Sequence, residues 1–345
     1  MVFLVALEAV AILLLAAIPG YIFTKRKMIS EECIPGLSKI LVYVCQPCLA
    51  VYTFGSAEYS IEKLIDVGVF ALLAVLIHGV MIGGAYLALR KRYEKAVYRV
   101  MTFAVGSANC AFFGIPIIEA LMPEAASEVI LFTMVYSLVM NIIGWTAGSA
   151  VMARDPRYIS VKKLFVNPAV IGTAVAVLLF VTELPLPTDL TSIITTTARM
   201  ATPLSMIVMG MRLGAMRVGS LFKNTRIYAT VAAKQLVMPT VAFLIALIAP
   251  VSYDIKSVFF IISACPVAAV VLSYAEIVGE GQEDAASMLL LGTMLSILTL
   301  PLMMLLLPLL SYIGLHFRRR VTLLSPAAFS LFSRRESFLN LVVIC

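Results

Sequence analysis

Two short polar segments, each containing a proline, interrupt long apolar stretches of this chain. The first reads Ser107-Ala-Asn-Cys-Ala-Phe-Phe-Gly-Ile-Pro116 and the second reads Ser263-Ala-Cys-Pro266-Val-Ala-Ala269. Proline removes a backbone donor and clashes with the preceding turn, so both segments predict broken helices, with a simple kink as the alternative. The second half of a broken helix presents a positive N-terminal end, which favours an anionic ligand.

Asn109 is the leading candidate for contact with such a ligand. Its amide can donate to a carboxylate and accept from a hydroxyl or an indole, whereas an amide that bridges two helices is the alternative role. Further candidates for substrate binding are Pro116, Pro266, Tyr136, Asn141 and Ser273. Other polar residues in the same apolar runs are Gln46, Ser137, Ser263, Tyr274, Thr293 and Ser296. Since most membrane hydroxyls bond to a backbone, only one or two should touch substrate.

One histidine, His78, falls near the middle of an apolar run. Histidine titrates near neutral pH, so His78 is a candidate for proton coupling, and a neutral ring bonded to a nearby carbonyl is the alternative. No acidic residue accompanies it there, and backbone carbonyls at an unwound helix could hold Na⁺ instead. The coupling ion is therefore left open. Three other ionisable residues, Lys39, Lys234 and Glu276, are expected to reach the cytoplasmic interface.

Signatures of enzyme chemistry are missing from the sequence. It contains no His-Glu-x-x-His, no Gly-x-Ser-x-Gly and no phosphate-binding loop. The pair Cys45-Gln-Pro-Cys48 lies in an apolar run, where cysteine behaves as a small hydrophobic residue rather than a redox group. We therefore expect no cofactor, no metal and no enzymatic activity.

The composition indicates a membrane protein. Of the 345 residues 62% are apolar and only 13% are charged, which excludes an ordinary soluble enzyme and a disordered chain. The net charge of +7 is spread over short clusters between apolar runs, so we expect a lipid bilayer and no nucleic acid among the partners.

Ten continuous apolar runs are each close to the roughly 20 residues that a spanning helix needs. They cover residues 2–23, 34–54, 64–88, 100–121, 128–152, 166–182, 192–211, 227–249, 257–278 and 285–310. The predicted fold class is therefore an all-α polytopic membrane protein. Glycines four residues apart predict close helix contacts at three places: Gly79 with Gly83, Gly144 with Gly148, and Gly210 with Gly214.

Basic residues cluster after the first, third, fifth and seventh runs. Sixteen lie there, whereas the intervening loops hold only Lys63 and Lys256. The positive-inside rule then predicts a multi-pass protein of the plasma membrane with both termini outside and the loop after the fifth run in the cytoplasm. The acidic loop 279–284 departs from this pattern, because it is assigned to the inside.

Ten runs divide into two halves of opposite orientation. Pro123-Glu-Ala-Ala-Ser127 opens the fifth run and Glu283-Asp-Ala-Ala-Ser287 opens the tenth, which suggests an internal repeat. We predict a first five-helix repeat over residues 1–152, a short cytoplasmic loop over 153–165, a second repeat over 166–315, and a disordered or interfacial basic tail over 316–345.

Several motifs, in this order and spacing, resemble the auxin efflux carrier family of PIN-like transporters, within the bile/arsenite/riboflavin transporter-type superfamily. They are Gly20-Tyr-Ile-Phe23, Ile29-Ser-Glu-Glu32, Leu37-Ser-Lys-Ile-Leu-Val-Tyr-Val44, Asn109 with Gly114-Ile-Pro116, Val166-Asn167-Pro168, Cys265-Pro266-Val-Ala-Ala269 and Leu298-Thr-Leu-Pro301. The resemblance covers about residues 1–312. Two departures are the short loop 153–165, where plant members have a long hydrophilic one, and Val270, where many members carry an asparagine nearby.

The resemblance implies ten helices in two inverted repeats, with spans four and nine broken and crossed. It also implies secondary transport of a small organic anion, which is indole-3-acetate in plant members and a dicarboxylate in some bacterial ones. In the implied elevator motion, spans three to five and eight to ten slide against spans one, two, six and seven. The resemblance also implies that two copies of the chain can form a homodimer. The alternatives are a bile-acid/sodium-symporter-like or cation/proton-antiporter-like carrier and, after these, a membrane-embedded enzyme.

Overall fold

The computed structural model of the protein describes residues 1–155, 166–216 and 224–310. These residues form helices joined by short turns, and none of the described residues lies in a β-strand. In chain order the helices are α1 Val2–Lys25, α2 Cys33–Gly55, α3 Ile61–Leu89, α4 Ala96–Ala104, α5 Cys110–Leu121, α6 Ala126–Ala153, α7 Pro168–Thr182, α8 Thr188–Ala215, α9 Thr225–Ile248, α10 Tyr253–Ala264, α11 Val270–Val278 and α12 Gln282–Met304. Most of the predicted loop 153–165 and all of the predicted tail 316–345 lie outside the described residues.

Six of the described helices are long and apolar enough to cross a membrane. They are Val2–Lys25, Cys33–Gly55, Ile61–Arg92, Ala126–Ala153, Thr225–Ile248 and Gln282–Leu310. Two shorter apolar helices are Cys110–Leu121 and Pro168–Thr182. The all-helical, multi-pass character predicted from the composition is thus confirmed, whereas the ten-span inverted repeat stays a prediction.

Two of the predicted apolar runs are each divided into two helices. The run 100–121 contains the end of α4, a break at residues 105–109, and α5. The run 257–278 contains most of α10, a break at residues 265–269, and α11. Both segments therefore break as predicted, and neither is a continuous kinked helix.

Proline also accompanies local widening of three continuous helices. The π turns Leu41–Cys45, Cys110–Gly114 and Ala233–Val237 are each followed two residues later by a proline, namely Pro47, Pro116 and Pro239. A proline cannot donate to the carbonyl four residues before it, and a π turn is one way for the backbone to adapt to that loss. Pro116 thus lies inside α5 and follows the break that contains Asn109.

Glycines bring α1 and α8 into backbone contact. A Cβ atom added to Gly210 would lie 1.8 Å from the carbonyl oxygen of Ala17, and one added to Gly20 would lie 2.0 Å from that of Ile207. Any side chain at either position would force the two helices apart, so the predicted contact of the Gly210 pair is confirmed.

The other two glycine pairs differ from each other. Gly144 and Gly148 receive the side chains of Tyr274 and Phe103, since a Cβ at these glycines would lie 2.5 Å and 2.9 Å from the respective rings. At Gly79 and Gly83, no described atom comes within 4 Å of an added Cβ. The approach that this pair on α3 permits is therefore not made by any described residue, because glycine spacing allows an approach without supplying a partner.

The helices can be described as two groups that are in extensive contact with each other. In the first, α1 lies along α8, and α2 packs on both α7 and α8. In the second, α3 packs on α6, and α9 packs on α10 and α12. The groups meet where α1 contacts α12 and where α7 contacts α6. The two broken segments belong to the second group.

The acidic loop 279–284 is tied to a basic residue of α4. Arg99, buried in spite of its charge, forms an ion pair with Glu280 and donates to the carbonyl oxygen of Met152. This contact explains how an acidic loop can lie beside the basic cluster that follows α3, since each charge is compensated by the other.

Candidate functional site

The two breaks cross each other and are joined by backbone hydrogen bonds. Ala108 and Val267 form an isolated antiparallel bridge. The amide N–H of Asn109 donates to the carbonyl of Pro266 at 2.9 Å, and the N–H of Ala268 donates to the carbonyl of Ser107 at 3.3 Å. Extended backbone in the apolar interior is tolerated only when such groups are paired, and here each break pairs the other.

The first break satisfies the end of its own helix locally. The amides of Val105, Gly106 and Ser107 donate to the last carbonyls of α4, and the Ser107 hydroxyl donates to the carbonyl of Phe103 at 2.8 Å. Gly106 lies against Ile82 of α3, where an added Cβ would be 2.5 Å from the Ile82 side chain. A glycine and a serine therefore let this segment turn in a confined space.

The second break is made by Pro266. The residue before a proline avoids the helical conformation, and Cys265 has φ −61° and ψ 152°, which ends α10 at Ala264. Pro266 also has no N–H with which to satisfy a carbonyl of the preceding turn. The carbonyls at this end of α10 therefore need donors from elsewhere in the protein.

Lys234 supplies those donors. Its ammonium Nζ donates to the carbonyls of Ser263 and Cys265, both at 2.8 Å, and the residue is completely buried. The expectation that Lys234 reaches the cytoplasmic interface is therefore wrong. The helix end is the negative pole of α10, which favours a positive charge beside its last carbonyls.

A cavity of about 190 Å³ lies beside the crossing. The start of α5, the start of α11 and a face of α6 line one side, and α2 and α8 line the other. Its polar lining consists of Ser38, Gln46, Asn109, Ser137, Asn141, Asn167, Ser205, Arg212, Ser273 and Tyr274. The cavity thus lies between the two helix groups and faces the N-terminal ends of both second half-helices.

Three of the predicted substrate contacts lie together in this lining. Asn109 precedes α5 directly and its side chain does not cap that helix. Asn141 of α6 donates to the carbonyl of Ser137 at 2.8 Å, and Gln46 donates across to the Ser137 hydroxyl at 3.4 Å. Ser273, on α11, is exposed to the cavity. Gln46 therefore both lines the cavity and connects α2 to α6.

The other predicted site residues lie outside the lining. Pro116 and Pro266 shape the backbone, and Tyr136 is fully buried beside His78, with ring centroids 4.8 Å apart. The Nδ1 atom of His78 is 2.6 Å from the carbonyl of Ala74, so the ring is hydrogen-bonded to its own helix. Among the described residues, its Nε2 atom has no hydrogen-bond partner.

Arg212 is a cavity residue that the sequence interpretation assigned only to a basic cluster. Its guanidinium donates to the Ser38 hydroxyl at 3.1 Å and forms an ion pair with Glu276 at 3.5 Å. Glu276 is on α11, so this pair connects the two helix groups at the rim of the cavity. Spacing along α8 placed Arg212 at a membrane interface, and nothing in the sequence indicated that a cavity reaches that level.

A family model described as "Membrane transport protein" matches residues 5–162 and 157–304. The chain belongs to this family, that of the auxin efflux carrier type transporters. A comparison with curated proteins gives no significant match.

Membership in the Membrane transport protein family, together with the apolar helices, identifies the chain as a multi-pass membrane transporter. A transporter family is consistent with the expectation that the chain is not an enzyme. Within the described residues, no group of three or more histidine, cysteine, aspartate or glutamate side chains could hold a metal ion.

Proposed function

We propose that this transporter moves a small organic anion, such as a carboxylate, across the plasma membrane by elevator-type alternating access. The observation that carries the proposal is the cavity at the crossing, which combines hydrogen-bond donors with a guanidinium. The bound anion would be the partner of Asn109, Asn141, Ser273 and Arg212.

The electrostatics of the cavity favour a negative ligand. The first amides of a helix have no acceptor within that helix and carry the positive end of its dipole. Two such ends, those of α5 and α11, start at the cavity wall. Arg212 adds a full positive charge, and a substrate carboxylate could replace Glu276 as its partner with bidentate geometry.

The position of the cavity supports an elevator motion. Its lining comes from α2 and α8 of the first group and from both broken segments of the second group. A ligand held mainly by the second group would be carried past the first, and the backbone bonds between the breaks would keep the crossing intact during that movement. The ion pair between Arg212 and Glu276 would have to open once in each cycle.

Uptake into proteoliposomes tests the proposed function. The purified chain is reconstituted and offered radiolabelled indole-3-acetate, malate, succinate and benzoate under imposed Na⁺, H⁺ or voltage gradients. We expect saturable uptake of at least one carboxylate and none of choline, which has the opposite charge. Saturable exchange of cations without any carboxylate would contradict the proposal and favour a cation/proton antiporter.

Two arginines on α8 provide a matched pair of variants for the same assay. Arg212→Gln should reduce carboxylate uptake about tenfold, since a charge-assisted hydrogen bond to the ligand contributes about 1.5 to 3 kcal/mol. The control Arg199→Gln removes an exposed arginine from the middle of that helix and should stay within about twofold of wild type. Equal uptake by both variants would remove Arg212 from the site.

The proposal that His78 couples a proton to transport is tested separately. His78→Gln keeps a polar side chain but cannot gain a proton near neutral pH, so uptake should lose its dependence on pH between 5 and 8. An unchanged pH profile in a variant that still transports would leave His78 with a purely structural role, bonded to the Ala74 carbonyl.

We further propose that both termini lie outside and that the loop 153–165 is cytoplasmic, as the distribution of basic residues indicates. Labelling of single cysteines placed at residues 58 and 94 in intact cells tests this orientation. An impermeant maleimide should label position 58 only.

We also propose that the chain forms a homodimer. The mass of the protein in native nanodiscs tests this, because a dimer has twice the mass of one chain.

A further inference from the structure

Two arginines from different helices converge on one tyrosine, away from the crossing. The guanidinium Cζ atom of Arg92 lies 5.7 Å from the centroid of the Tyr98 ring, and that of Arg226 lies 5.4 Å from it. The Nε atom of Arg226 donates to the Tyr98 hydroxyl at 3.1 Å, and Arg92 interacts with the same oxygen. Tyr98 is buried, whereas both arginines are exposed. This arginine pair can therefore be reached from outside the protein.

Neighbouring contacts hold each arginine of the pair in place. Arg92 ends the short turn that follows α3, and the next residue, Tyr93, is buried and donates to the Thr102 hydroxyl of α4 at 2.8 Å. Arg226 lies in the first turn of α9, where the side chain of Asn224 caps the helix by accepting from the Arg226 N–H at 3.1 Å. Since α9 also packs on α4 here, the backbones of both arginines are fixed relative to the tyrosine ring.

No acidic side chain neutralises the arginine pair in the part of the chain that the structure describes. The ion pairs found there include neither Arg92 nor Arg226, and the exposed Glu94 takes part in none of them. Asp284 acts on Arg226 only through space, and its carboxylate accepts from the Asn224 amide at 3.4 Å. Two positive charges beside one oxygen repel each other, so an anion that contacts both would be stabilised.

We propose that Arg92 and Arg226 form a binding site for a phosphomonoester group. Such a group carries a charge of about −1.5 to −2 at pH 7 and has three terminal oxygen atoms, so it can accept hydrogen bonds from both guanidinium groups at once. A carboxylate has one charge and two oxygen atoms and would match two guanidinium groups less well. The proposed site is separate from the cavity at the crossing, and its existence does not depend on which substrate is transported.

The surroundings of the site are consistent with a phosphate ester of the cytoplasm or of its membrane surface. Arg90 and Lys91 precede Arg92 and are exposed, and Lys95 follows it. Under the proposed orientation this end faces the cytoplasm, where basic residues attract anionic headgroups. These exposed side chains attract any anion, whereas the pair around Tyr98 offers donors in a fixed arrangement. The phosphate can therefore belong to a lipid such as phosphatidic acid or to a soluble ester.

Thermal unfolding of the purified full chain in detergent separates the two sources. Dioctanoyl phosphatidic acid, dioctanoyl phosphatidylglycerol and inorganic phosphate are each titrated at constant ionic strength. A ligand that binds the folded state raises the melting temperature in a saturable way. A rise with phosphatidic acid alone indicates a lipid headgroup, and a rise with inorganic phosphate as well indicates a site open to soluble esters. Phosphatidylglycerol, whose phosphodiester has one charge, should need an about fivefold or more higher concentration for half the effect.

Three arginine variants distinguish this site from general attraction by the basic surface. Arg92→Gln and Arg226→Gln should each raise the half-saturating concentration of phosphatidic acid about tenfold, because each removes charge-assisted hydrogen bonds to the phosphate. The control Arg90→Gln removes the same charge from the same turn, two residues from Arg92, and should stay within about twofold of wild type. All three side chains are exposed, so the variants should fold.

The inference would be overturned by wild-type protein whose melting temperature responds to neither phosphatidic acid nor inorganic phosphate. Equal weakening by Arg90→Gln and Arg92→Gln would also overturn it, because the attraction would then follow total charge rather than the pair. So would half-saturation by phosphatidylglycerol and phosphatidic acid at the same concentration, since two guanidinium groups acting together should favour the dianion. Melting curves of each variant without ligand show whether it is folded.

Discussion

The two breaks at the crossing have similar backbones and different chemistry. At the first, local amides and the Ser107 hydroxyl satisfy the end of α4. At the second, Pro266 removes the local donor, and Lys234 reaches in from another helix to take its place. The comparison shows that the carbonyls at the end of an interrupted helix need hydrogen-bond donors. These donors can be neutral groups of the same segment or a charged side chain from another helix.

The two breaks also differ in the side chains that they present to the cavity. Asn109 precedes α5 with an amide at the cavity, whereas Val270, the first residue of α11, contributes only an apolar side chain. Under the proposed function, the first break would supply an amide to the substrate, while the second break holds a charged side chain behind it. The two breaks thus pair with each other through similar backbone bonds and differ in their side chains.

The largest expected effect on uptake is that of Asn109 at the cavity. Asn109→Ala should reduce carboxylate uptake tenfold or more, since the lost bonds to a charged ligand contribute about 1.5 to 3 kcal/mol, while the melting temperature changes by less than about 2 °C. Val270→Ala, at the corresponding place in the other break, should keep uptake within about threefold. Uptake and melting curves of both variants measure the contrast. Similar losses of uptake in both would mean that the halves contribute equally.

An intermediate effect is expected for the prolines. Pro266→Ala frees Cys265 to become helical, which would lengthen α10 and pull a carbonyl away from Lys234, so uptake should fall by about three- to tenfold and the melting temperature by a few degrees. Pro116→Ala changes a residue inside a helix and should alter uptake less than about twofold. A larger effect of Pro116→Ala than of Pro266→Ala would contradict the assignment of the second break to Pro266.

The smallest effect is expected for the neutral donor of the first break. Ser107→Ala removes one hydroxyl-to-carbonyl bond and should lower the melting temperature by about 1 to 4 °C. Ser56→Ala removes a bond of the same type, 2.8 Å to the carbonyl of Tyr52, at the end of α2 and should cost less than about 1 °C. A loss at Ser107→Ala as large as that of Pro266→Ala would erase the distinction between the two breaks.

The sequence predicted the features that depend on local chemistry. Continuous apolar runs indicated the membrane helices, and the polar segments around Asn109 and Pro266 indicated where two of them break. Motifs with a specific order also indicated the family. In each case the signal lies within about ten neighbouring residues, so no knowledge of the folded partner was needed.

Features that depend on a partner helix could not be predicted in this way. Lys234 and Arg212 were placed by their distance along a helix from a membrane interface, which ignores helix ends and cavities inside the bilayer. The carbonyls that hold Lys234 are exposed only because α10 ends in the interior. The same reason applies at Gly79, where spacing was favourable but no described helix approaches.

The ammonium of Lys234 also ties the second break to α9. Its two hydrogen bonds run from the π turn Ala233–Val237 to the end of α10, so a displacement of either helix that broke them would leave a buried charge without acceptors. The second break and this turn of α9 should therefore move as one body in any rearrangement of the protein.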